Sequence, residues 1–157
     1  MVSVKELLEY NVQVRQRYFQ VLAGISWEEL IRNREASFNS IRNIFIHTLK
    51  AIDHWLDVLL KEKNYRAKQY DEYKSLAEIR EYKDYVEKRM QKYLDASLSA
   101  KLLNRYVVRN DLGETVEVAA EDILIHLFEE EVHHRGELIA LLWQMSVEPP
   151  LMGWKYL

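Results

Sequence analysis

The chain has 157 residues, 48% hydrophobic and 30% charged, with a formal net charge of −3. That balance suits one domain over residues 1–157 with a substantial core, and excludes a disordered chain. There is no cysteine, so disulfides, thiolate metal sites and a cysteine nucleophile are excluded. Four glycines and one Pro149-Pro150 pair are too few for a turn-rich β-fold, and no proline before position 149 interrupts a helix.

The first predicted helix starts after Ser3, with Glu6 completing a capping box, and Gly24 is its expected stop. It carries Val4, Leu7, Leu8, Val14, Tyr18, Val21 and Leu22 at helical spacing. Ser26 repeats the cap signature before a short turn from Trp27 to about Arg32. Ser37 or Asn39 is expected to cap a long second helix reaching about Glu62, with Ile41, Ile44, Thr48, Ala51, Trp55 and Val58 on one stripe. A polar, tyrosine-rich connector over residues 63–74 is long enough for a crossover along a bundle, without requiring one. Ser75 and Glu78 cap the third helix, whose inner face is Leu76, Ile79, Tyr82, Val86, Met90 and Tyr93. Residues 105–108 and 115–118 then switch to β-type sequence around Asn110-Asp111-Leu112-Gly113, which predicts a small hairpin. The fourth helix covers about Ala120 to Met145, ahead of the Pro-Pro stop. The predicted fold is all-α: a four-helix bundle with a small β-hairpin before the last helix.

The fourth helix carries the chemical anomaly. Its inner stripe is Ile123, Leu127, Leu138, Leu141 and Met145, and continuing the spacing from Leu127 lands on Glu130 and His134. Four residues separate them by about 6 Å along the axis, so both side chains can reach one ion. A buried unpaired carboxylate is costly, and a metal ion compensates it; a buried ion pair or hydrogen bond fits the same spacing. His47, on the border of the second helix's stripe, is the candidate third ligand, although a lone histidine there is commonly a hydrogen-bonded core residue. His126, one turn before Glu130, is the substitute ligand or a partner that orients one. His133 is expected on another face, as are Glu129 and Glu131, and His54 lies about 10 Å along the helix from His47, too far to share its ion. Imidazole and carboxylate together suit zinc or nickel, with iron or manganese as alternatives. The chain lacks the second Glu-x-x-His element a di-iron bundle needs, the His-Glu-x-x-His of zincin proteases and any Gly-rich phosphate loop.

Segment 37–47 (SFNSIRNIFIH), followed by Asp53-His54-Trp55, resembles the second helix of the DinB/YfiT-like family, and Trp27 to Leu30 resembles that family's early turn. Segment 126–137 (HLFEEEVHHRGE) resembles its histidine-rich signature ending His-His-Arg-Gly-Gln. The resemblance implies a four-helix bundle holding one divalent metal through three histidines. His47 and His134 match two of these; Glu130 stands where the third is usual, and Glu137 where glutamine is usual. The expected metal ligands are therefore His47, Glu130 and His134. With two neutral imidazoles and one carboxylate, a divalent ion keeps a formal charge of about +1, which makes its bound water a weaker acid than in a three-histidine site.

The family also implies thiol-dependent chemistry: transfer of a low-molecular-weight thiol, such as bacillithiol, onto an electrophile. Two alternatives are a non-catalytic, metal-stabilised dimeric stress-response module and a mononuclear two-histidine, one-carboxylate iron enzyme. A homodimer is expected from the resemblance and from surplus aromatic residues. Nucleic acid is not an expected partner: the most basic stretch, Lys83 to Lys92, is interleaved with Asp84 and Glu87. No apolar run approaches the roughly 18 residues of a membrane span, and the charged start (Lys5, Glu6, Glu9) is unlike a signal peptide, so a cytoplasmic location is expected.

Overall fold

A computed structural model describes residues 2–95, 98–110 and 112–153. Helix α1 (Val4–Leu22) begins at the Ser3–Glu6 capping box, and α2 (Trp27–Ile31) begins at Ser26. Helix α3 (Ile41–Leu60) starts later than the sequence suggests. Its cap is Ser40, whose hydroxyl accepts from the Asn43 N–H at 3.2 Å, while Asn39 sits at φ +67° in the preceding turn. Helices α4 (Leu76–Asp95) and α5 (Leu98–Lys101) follow, then strands β1 (Arg105–Arg109) and β2 (Thr115–Ala119), and finally α6 (Ala120–Gln144). The strands pair antiparallel with Val108 opposite Val116, and Gly113 takes the left-handed turn position at φ +79°. Asp111, part of the predicted turn, lies outside the described residues. Gly24 is not left-handed; α1 stops through Ala23 and Gly24 N–H groups bonded to Phe19 and Val21 carbonyls.

The four long helices form the predicted bundle, and side-chain pairs give its directions. Trp55 meets His126 and His47 meets Glu130, so α3 and α6 run antiparallel. Arg15 meets Glu131 and Asn11 meets Phe128, so α1 and α6 run parallel. Tyr82 reaches Asp53 and Arg89 reaches Asp57, so α3 and α4 are parallel and the connector is a crossover. The buried Asp53 and the half-buried Asp57 steer it: Asp57 accepts from the Asn64 and Tyr65 N–H groups, and Asp53 from that of Arg66 at 2.9 Å. Lys68 and Tyr70 thereby come back alongside Lys50 and His47.

The core fills the bundle axis with Leu8, Ile44, Leu49, Ile52, Leu56, Val86, Leu124 and Leu127. Ala51, Trp55 and Val58, drawn on the inner stripe of α3 from sequence, are only half-buried, because α3 is apolar around most of its circumference and its better-packed face is Phe45, Leu49, Ile52, Leu56 and Leu59. Among the described residues no helix is long and apolar enough to cross a membrane.

Candidate metal centre

Three donors converge halfway along the bundle. His47 Nε2 lies 2.7 Å from Glu130 Oε1, and His134 Nε2 lies 3.1 Å from the same oxygen. All three donor atoms fall within 4.8 Å of one another, close enough to share one ion. The opposite nitrogen of each ring is also partnered. His134 Nδ1 is 2.5 Å from Glu137 Oε2, which in turn accepts from the Ser37 hydroxyl at 2.9 Å, and His47 Nδ1 is 3.4 Å from the Tyr70 hydroxyl. Metal-ligating histidines use such partners to fix the tautomer that presents Nε2 as a lone pair. Phe38 stacks on His47 at 3.8 Å and meets His134 edge-on at 5.3 Å, shielding one side of the cluster.

The electrostatics agree with this arrangement. Burial pushes the His47 imidazole below its usual value, which favours the neutral, ligating form. Burial works against ionising Glu130, but its contacts with the His47 and His134 rings outweigh it and hold the carboxyl below the usual carboxylate range. Glu137 is held low in the same way, by His134 and Ser37 against its burial. The donor set, two imidazole nitrogens and a carboxylate oxygen with an oriented outer layer, fits a divalent transition-metal ion.

The cluster opens on its other side into a groove of about 770 Å³. Its walls are Lys50, His54 and Trp55 from α3, Val107 to Arg109 from β1, and His126 from α6. His126 is exposed, its ring edge-on to Trp55 at 5.7 Å; it stands on the groove wall and outside the three-donor group. His133 is exposed, as expected, and groups with His134 and Glu137 as a second set of possible donors. That set shares His134 with the first, its carboxylate is taken up by Ser37, and neither His133 nor Glu137 lines the groove.

One placement is corrected. Glu131, assigned to an outer face, is buried, its side chain 8% exposed and ion-paired with the buried Arg15, whereas the Glu130 side chain is 24% exposed at the groove floor. The buried stripe of α6 therefore runs Leu127, Glu131, His134, Leu138, and His134 lies on it while Glu130 borders it. Arg135 turns toward α1, donating to Asn11 Oδ1 at 3.4 Å and lying over the Tyr10 ring, away from the groove. Phe38, Tyr70 and Ser37 were missed as site residues. Only the Phe38 and Ser37 positions next to the second helix's start hinted at a role, and Tyr70 gave no local signal.

The model of the DinB family matches residues 1–155. Among curated proteins, the chain is 24% identical over 144 residues to "Protein DinB" of Bacillus subtilis (strain 168), covering 88% of this chain and 84% of that protein. It is 22% identical over 144 residues to "Uncharacterized protein YizA" of the same organism, covering 92% and 89%. With its bundle, its hairpin and a histidine–carboxylate cluster at mid-length, the chain belongs to the DinB family.

Proposed function

We propose that the protein binds one divalent metal ion through His47, Glu130 and His134 and transfers a low-molecular-weight thiol onto an electrophile. The observation that supports this most is the convergence of two imidazole Nε2 atoms on one carboxylate oxygen at the floor of an open groove. Three protein donors leave coordination positions free, as in catalytic rather than structural sites. A bound ion lowers the pKa of a thiol and raises its thiolate fraction at neutral pH. Glu137 and Tyr70 orient the two rings, Phe38 keeps water off one side, and Lys50 at the groove wall attracts an anionic thiol. In the transfer the sulfur lone pair forms the new S–C bond, the leaving group departs with its bonding pair, and the thiol proton passes to bulk water. The same donor set occurs in mononuclear iron enzymes, so metal content is the first measurement.

The experiment is elemental analysis of purified protein, with Glu130→Ala and Glu129→Ala beside it, followed by conjugation of bacillithiol, cysteine or glutathione to 1-chloro-2,4-dinitrobenzene. The expected result is near one zinc or nickel per chain, more than about 100-fold weaker metal affinity in Glu130→Ala, and little change in Glu129→Ala, whose side chain is exposed. Full metal occupancy in Glu130→Ala would refute the ligand set. Iron as the bound metal would favour the iron-enzyme reading, and unfolding on metal removal with no thiol conjugation would favour a structural ion.

A further inference from the structure

The hairpin does not rest fully on the helices. Its root is fixed: the buried Tyr106 donates its hydroxyl to the Leu59 carbonyl at 2.9 Å, and the Ala120 and Glu121 N–H groups bond the Asn104 and Leu102 carbonyls. Val118, opposite Tyr106 at the root, and Val108 and Val116, paired nearer the tip, all point to the same side as Tyr106. These three valines are only half-buried. Between them and Trp55, Ile123 and His126 lies a second space of about 280 Å³. Trp55, Val108, Arg109 and His126 line both this space and the groove above the metal cluster, so the two are continuous.

We infer that this space under the hairpin is a binding compartment for a compact apolar group, aryl or branched alkyl, carried by the electrophile. The inference rests on the reading of the groove as a substrate site. A cavity of about 150 Å³ already holds a benzene-sized ring when its lining is apolar; here Trp55, Ile123 and the three valines supply the apolar walls, and Arg109, Asn110, Asp122 and His126 complete the lining. Filling it removes from water three valines that the fold itself leaves half-exposed. The spacing sets the shape of the ligand. His126 and Ile123 stand four and seven residues before Glu130 on α6, so the apolar group sits about 6–10 Å from the atom that meets the metal cluster. The described C-terminal stretch does not compete for the space, since Met152 is held on the other side of the bundle by Tyr10 and Tyr18 of α1.

The test uses metal-anchored probes of two lengths on the zinc-loaded protein: acetohydroxamic acid, and 4-phenylbutanohydroxamic acid, whose ring reaches the compartment. Titration calorimetry should show the phenyl probe binding at least about tenfold tighter. Val116→Phe, which projects a ring into the space the probe's phenyl group would occupy, should remove most of that gain while leaving acetohydroxamate affinity within about twofold. Val118→Phe, at a position that lines this space and not the groove above the metal cluster, provides the same block should Val116→Phe fold poorly. A second arm uses metal-free protein and 4-(4-fluorophenyl)butan-1-ol, read by fluorine NMR line broadening that either substitution removes. Equal affinity of the two hydroxamates, or a gain that both variants retain, overturns the compartment. If zinc is not taken up, the metal reading fails and the fluorine arm decides the compartment alone: broadening in the wild type that the variants lose supports it, and no broadening overturns it.

Discussion

Removal of the Glu131 carboxylate isolates a charge the fold has taken out of water. Arg15 is 5% exposed, and its guanidinium bonds Glu131 through one nitrogen and Glu87 through another at 3.0 Å, while its Nε has no partner among the described residues. Glu131→Ala therefore leaves a buried cation with one carboxylate partner in place of two. Breaking a buried pair from one side costs about 3–5 kcal/mol, and the surviving Glu87 contact puts the expected loss near the lower figure, about 3 kcal/mol. For a chain of this length that is a drop of roughly 6–12 °C in Tm. Urea unfolding followed by circular dichroism on chelator-treated protein measures it without a contribution from bound metal. The double replacement Arg15→Met with Glu131→Leu removes both charges and should return to within about 1 kcal/mol of the parent. A loss below about 1 kcal/mol in Glu131→Ala, or a double variant no more stable than the single one, would refute the argument.

Glu137→Ala removes the carboxylate that orients His134 and should weaken metal binding about 10–100-fold without abolishing it, measured by competition with a chromogenic chelator. Asp57 gives the pH dependence. Its burial favours the neutral acid, but hydrogen bonds from Arg89 and from the Tyr65 and Asn64 N–H groups outweigh this and hold its carboxyl below 3.8. With the folded value depressed, the unfolded chain binds more protons in acid, so the contribution of Asp57 is full above about pH 5 and disappears as pH falls through its folded value. The stability difference between the parent and Asp57→Asn, from urea titrations between pH 7 and pH 3, should be constant down to about pH 5 and narrow below about pH 4. A difference that widens in acid would contradict the assignment.

Local signals account for much of what was legible in advance. The Ser3–Glu6 and Ser26 caps, the Ser75 cap and the hairpin turn all act through atoms within four residues of one another, and all formed where expected. The meeting of Glu130 and His134 is equally local, since a helix sets it by its pitch. The start of α3 was misplaced because Ser37, Asn39 and Ser40 are all competent caps; Ser37 is instead drawn to Glu137, a hundred positions away in the chain.

Which glutamate of α6 enters the core was a tertiary decision. Residues 129–131 are three consecutive glutamates on a helix with apolar residues on every side, so periodicity alone allowed either phase. Arg15, arriving from α1, resolved it by offering a buried charge to Glu131, which left Glu130 at the border to face His47. The second decision was the route of residues 63–74. Composition permitted a hairpin or a crossover, and only the buried Asp53 and the half-buried Asp57, collecting the N–H groups of residues 64–66, turned the chain back along α3 to set Tyr70 against His47. A sequence displays the donors and acceptors within a few residues of each other. Which of the remaining buried charges find one another depends on chain closure over tens of residues, and that is decided only when the helices pack.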